Sequence, residues 1–98
     1  MPTVTYSQQA DRDLDDIWDY VAQDSALQAD RLWDHFKAKL QYLAKWNTFG
    51  SPRFDLCTNC RSYPFGKYCF YYRPTESGIE VLRILHSARD LDQIEFPE

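Results

Sequence analysis

The sequence of 98 residues holds three glycines and no Ser/Gly/Pro-rich tract, so no stretch reads as a linker, a repeat or a low-complexity segment. No apolar run approaches the roughly 18 residues a membrane span needs, and none near the start follows a basic leader. A cytoplasmic protein with no membrane contact is therefore expected. Three cysteines, an odd number, make no disulfide framework of the secreted kind and fit a reducing compartment. Positive charge is in deficit: eleven Lys and Arg against fifteen Asp and Glu leave a formal charge of -4, which excludes whole-molecule attraction to nucleic-acid phosphates. A glycine-rich phosphate loop, a Ser/His/Asp set at workable separation and carboxylates at metal spacing are also missing. No cofactor and no metal ion are expected.

What is present reads as one domain over residues 1–98, long enough for a single modest core. Residues Pro2 to Tyr6 favour a first strand, and Ser7 can cap a helix whose Ala10, Leu14, Ile17, Trp18 and Val21 recur at helical spacing. Asp11, Asp15, Asp16 and Asp19 lie off that stripe, making the first helix acidic outside. Ser25 with Gln28 forms a capping box for a second helix, with Ala29, Leu32, Trp33, Phe36, Leu40 and Leu43 as its apolar stripe and an end near Trp46. Asn47 to Pro52 terminates it. Short strands follow, Arg61 to Pro64 and Tyr68 to Arg73 around the turn Phe65-Gly66-Lys67, and Pro74 to Gly78 leads into a long last strand. The predicted class is α+β, in the order β-α-α-β-β-β, with an antiparallel sheet and a two-helix hairpin packed on one face.

Regular alternation along the last strand puts Ile79, Val81, Arg83 and Leu85 on one face and Glu80, Leu82, Ile84 and His86 on the other. Both faces hold more apolar residues than a sheet covered on one side requires. Either the helices cover one face and a partner the other, or the strand is central with its ends protected; in so small a chain the partner is favoured. Four of the seven tyrosines fall between Tyr63 and Tyr72, which fits either an interface or a β-rich core. The basic residues gather in the same half, five of them between Arg61 and Arg89.

The run Ile79-Glu80-Val81-Leu82-Arg83-Ile84-Leu85-His86-Ser87-Ala88-Arg89-Asp90 resembles the last core strand and exit turn of the ParE branch of the RelE/ParE toxins. Tyr6-Ser7, Ala10, Asp13-Leu14, Ile17-Trp18 and Tyr20-Val21 resemble that family's first helix, and Arg61-Ser62-Tyr63-Pro64 with Gly66-Lys67-Tyr68 its middle hairpin. The resemblance spans nearly the whole chain. It implies the toxin of a type II toxin-antitoxin pair that inhibits DNA gyrase by protein-protein binding. It also implies a small DNA-binding antitoxin whose disordered C-terminal segment folds across the toxin sheet. The two would form a hetero-oligomer that meets operator DNA only through the antitoxin. Arg61, Tyr71, Val81, Arg83, Leu85, His86 and Arg89 are then the candidate residues for antitoxin or target contact.

RelE-like relatives that cut messenger RNA on the ribosome need a base, an acid and cations around the phosphorane. Arg61, Arg83 and His86 are the candidates here, with Lys67 and Arg89 nearby in sequence. Against that use, Arg83 and His86 fall on opposite faces of a regular strand, and the ParE resemblance implies no nuclease. A degenerate, harmless antitoxin-binding module is the third alternative. The structural readings are pairing of Arg61 and Arg83 with first-helix aspartates and a local Arg89–Asp90 ion pair. Cys57-Thr58-Asn59-Cys60 supplies only half of a zinc site and precedes a meander rather than a helix, so it reads as two loop thiols, with a link on oxidation left open.

Overall fold

The computed structural model describes residues 2–97. Strand β1 spans Thr3–Tyr6, helix α1 Gln8–Ala22, helix α2 Ala26–Lys45, and strands β2 to β5 span Ser51–Pro52, Arg61–Phe65, Tyr68–Pro74 and Gly78–His86. A single 3-10 turn, Leu91–Gln93, follows. The anticipated order is present, with one addition: the chain ending the second helix pairs briefly as β2 along β3.

Both helix starts are set by their predicted caps. Ser7 Oγ accepts from the Ala10 N–H at 3.0 Å, and Ser25 Oγ from the Gln28 N–H at 3.2 Å. Ser7 also bonds outward, its N–H donating to the Val81 carbonyl at 2.9 Å and its hydroxyl to the Leu82 carbonyl at 2.7 Å. The same residue thus starts α1 and docks it beside β5.

The sheet runs β1-β5-β4-β3-β2. The meander is antiparallel, but β1 joins β5 in parallel, which makes the sheet mixed. Parallel neighbours need a long connection, and here all of α1 through β4 lies between them. The β3–β4 turn holds Gly66 at φ 61°, the left-handed value a two-residue hairpin loop requires. At Gly78 the constraint is space: a Cβ there would collide with the backbone of Thr3. Gly78→Ala is expected to pry β1 from β5 and cost about 1–3 kcal/mol, read as a lower midpoint in urea; an unchanged midpoint would count against this packing.

Regular alternation in β5 does not survive. Tyr71 pairs with Arg83 but Tyr72 with Val81, leaving Leu82 as an extra residue in a β-bulge. Ile79, Val81 and Ile84 therefore share the helix-side core with Phe36, Phe70 and Tyr72. Leu82 and Leu85 turn to the other face, with Tyr71 and Cys60. Phe36, at 1 % exposure, anchors the first core by meeting Phe65, Tyr68 and Phe70 edge-on at centroid distances of 5.9, 5.4 and 5.2 Å.

The second face is not bare. Leu56 and Cys57 from the loop before β3, and Leu91, Ile94 and Phe96 from the C-terminal segment, pack on it. Tyr71 and Phe96 meet edge-on at 5.2 Å. The surplus apolar residues of β5, expected to be covered by a partner, are covered by the chain itself.

Candidate functional site

Arg83 is held within the fold. Its Nε and Nη2 each donate to the Asp13 carboxylate at 2.8 Å, and its Nη1 donates to the Glu95 carbonyl at 2.7 Å. Asp13 accepts a third bond, from the Ile84 N–H at 3.0 Å. The need for it follows from the topology: β1 pairs with β5 only as far as Val81, so the next stretch of β5 edge must find partners elsewhere. The second turn of α1 brings Asp13 to that edge. The side chains of Arg83 and Asp13 are 13 % and 10 % exposed, and the Asp13 hydrogen bonds, acting against burial, raise the pKa of the guanidinium. This is the pairing with a first-helix aspartate.

Arg61 finds a different partner. Its Nη1 donates to the carbonyls of Thr48 and Gly50 at 3.1 and 2.8 Å, and beside it the Gly50 N–H donates to the Tyr72 hydroxyl at 2.8 Å. Arg61 and Tyr72 thus tie down the connection between α2 and β2. His86 lies at the end of β5 on the helix side, opposite Tyr68, whose ring it meets edge-on at 5.7 Å. Its Nδ1 accepts from the Ala88 N–H at 3.1 Å.

His86 lines a shallow groove of 450 Å³ with Tyr20, Lys67, Tyr68 and Arg89, and with Asp13 and Asp16 across it. Arg89 is exposed. Asp90 accepts from the Asp92 N–H at 3.0 Å to cap the 3-10 turn, and among the described residues no ion pair joins it to Arg89. The three ribonuclease candidates are therefore apart: Arg61 beside the β2 edge, Arg83 on the far face and clamped, His86 in the groove.

Tyr71, Val81 and Leu85 are 6 %, 0 % and 2 % exposed. Val81 belongs to the helix-side core, while Tyr71 and Leu85 lie under the C-terminal segment. These three do not form a contact surface in this conformation. Burial, followed by contact with Cys69, pushes the Tyr71 phenol up to about 12.

An apolar concavity lies between the helices, along their facing apolar stripes. Tyr6, Leu14, Ile17, Trp18, Leu32 and Trp33 line 490 Å³ of open groove. Trp18 is 39 % exposed, its indole N–H donating to Asp30 at 3.1 Å. Asp11 and Asp15 also line it, and burial together with the Asp11 charge raises the pKa of Tyr6. Only Ala10 and Asp13 of α1 are buried, so most of the helix's apolar stripe is a wall of this groove. Two tryptophans beside flanking aspartates were the available sequence signal. At the other end of α2, Tyr42, Trp46 and Phe49 are exposed, with Lys39 4.9 Å from the Tyr42 ring and Lys45 5.5 Å from the Trp46 ring.

Cys57, Cys60 and Cys69 are free thiols, and among the described residues no group of three or more His, Cys, Asp or Glu could hold a metal ion. No described helix is long and apolar enough to cross a membrane.

The fold is that of a solved structure described as the chromosomal ParDE TA system from P. aeruginosa, with a TM-score of 0.70, 21% identity, and coverage of 88% of this chain and 96% of that one. No curated protein matches the sequence. Residues 4–91, from β1 through the exit turn of β5, match the family described as ParE toxin of type II toxin-antitoxin system, parDE. With the helical hairpin, the meander and nearly the full length accounted for, the chain belongs to the ParE toxin family of type II toxin-antitoxin systems.

Proposed function

We propose that this toxin acts in the cytoplasm by binding DNA gyrase and trapping it on cleaved DNA, and that a cognate antitoxin silences it. The observation that carries the reading is the dispersal of Arg61, Arg83 and His86. Two of the three are committed to bonds that hold loops and strand edges, so they do not converge on a common phosphate as nuclease chemistry needs. A binding mechanism requires no such convergence. His86 and Arg89, exposed beside Lys67, are the proposed contacts to the target.

The antitoxin would be a small DNA-binding protein, with the hetero-oligomer reaching operator DNA through it alone. The chain's own C-terminal segment occupies the sheet's second face, which favours the groove between α1 and α2 as its seat. An amphipathic segment with an apolar stripe and basic flanks would meet Trp18, Leu14 and Leu32 with one and Asp11 and Asp15 with the other.

The test is a titration of purified chain, freed from antitoxin by unfolding and refolding, in gyrase supercoiling and cleavage-complex assays. Dose-dependent accumulation of cleaved DNA, reversed by antitoxin, is expected. Inactivity toward gyrase of folded material that still arrests growth would overturn the proposal.

One observation favours a second reading, ribosome-dependent cleavage of messenger RNA: His86, Lys67 and Arg89 share a groove. His86→Ala tests this second reading, because undiminished growth arrest by that variant removes His86 as a catalytic group. A chain that arrests no growth at all would instead be a degenerate binding module.

A further inference from the structure

The Cys57-Thr58-Asn59-Cys60 segment is the one motif that the toxin reading leaves unused. It folds as a tight turn in which the Cys60 N–H donates to the Cys57 carbonyl at 3.2 Å, with Asn59 in the left-handed region at φ 59°. A turn with that bond holds its end Cα atoms within roughly 7 Å, and disulfides span Cα separations of about 4.4–6.8 Å. The side chains agree with the backbone. Both cysteines pack into the same cluster on the sheet's second face, Cys60 fully buried and Cys57 half-buried.

We propose that Cys57 and Cys60 are a dithiol site that reacts, in the folded chain, with a disulfide oxidant of the glutathione class to form an internal Cys57–Cys60 disulfide. The less buried partner reacts first. Cys57, as thiolate, attacks one sulfur of oxidised glutathione, forming a mixed disulfide and expelling glutathione thiolate. Cys60 then loses its proton to solvent and attacks the Cys57 sulfur, forming the internal bond and releasing the second glutathione. Two protein thiols are oxidised and one glutathione disulfide is reduced to two thiols. Burial, followed by the neighbouring Cys57, pushes the Cys60 thiol up to about 12, which disfavours Cys60 as the first attacking thiolate.

The surroundings hold the turn in place for that second step. The Arg53 N–H donates to the Cys60 carbonyl at 2.7 Å, and Arg73 reaches both the Thr58 carbonyl at 3.3 Å and the Pro97 carbonyl at 3.0 Å. Arg73 thereby joins the turn to the C-terminal segment. Cys69, on β4, belongs to the same cluster but lies outside the turn.

The experiment equilibrates the folded chain with mixtures of oxidised and reduced glutathione, quenches with acid, alkylates free thiols and maps the products by mass spectrometry, with near-ultraviolet circular dichroism confirming the fold. In the wild type, one alkylatable thiol, Cys69, is expected where the reduced chain shows three, with the Cys57–Cys60 bond reversed by dithiothreitol. Cys60→Ser is expected to stop at a glutathione adduct on Cys57, and Cys69→Ser to oxidise as the wild type does. Any of three results overturns the proposal: a lasting Cys57 adduct in the wild type, a disulfide that includes Cys69, or an internal disulfide that forms only after urea unfolding.

Discussion

Asp13→Ala is expected to destabilise the chain by about 3–5 kcal/mol, as removal of one partner from a buried ion pair does. The carboxylate accepts three N–H bonds, two from Arg83 and one from the Ile84 backbone. Without it, the guanidinium retains only the Glu95 carbonyl among these partners, and a buried N–H on the β5 edge is left unsatisfied. Small domains hold only about 5–15 kcal/mol of net stability, so the loss is a large share. Thermal unfolding followed by far-ultraviolet circular dichroism should show a midpoint lowered by about 12 °C or more. The double variant Asp13→Ala/Arg83→Met should lose less than the sum of its single changes, because it removes the orphaned charge along with its partner. A midpoint within about 2 °C of wild type for Asp13→Ala would mean that the clamp contributes little.

Phe36→Ala is expected to have an effect of similar size by a different route. The ring is 1 % exposed in the middle of α2 and meets three aromatic rings edge-on, so truncation both forfeits transfer energy and leaves a cavity among stiff neighbours. A loss of about 3–5 kcal/mol is expected, read as a fall in the urea midpoint with little change in slope. Phe36→Leu should cost less than half as much, since it fills most of the space. If the alanine variant instead keeps the wild-type midpoint, the helical hairpin is not held to the sheet mainly through this residue.

The contrast between these sites shows what kind of information each part of the structure requires. Ser7 and Ser25 were legible as caps because capping depends on a side chain and the N–H three residues on. The two helical stripes and the β3–β4 turn at Gly66 were legible for the same reason, since periodicity and turn chemistry act over a few residues. The resemblance carried by Ile79 to Asp90 reached the family, and its β-α-α-β-β-β order stands.

Partners distant in the chain were less legible. Asp13 and Arg83 are far apart in sequence, and helix-one periodicity offers several aspartates as equal candidates; only the end of β1 pairing at Val81 selects Asp13. Trp18 and Trp33 carry the same helical spacing whether they fill a core or line an open groove, so their exposure depends on how the hairpin seats on β1. The sequence by itself determined the helices, the meander, the caps and the family, because these follow from local spacing and motif. Tertiary structure alone decided the bulge at Leu82, the face to which each β5 residue turns, and the cover laid over Tyr71 and Leu85 by Ile94 and Phe96. Those depend on register and on segments meeting across the fold, and a single-residue slip in a strand moves every later side chain to the other face.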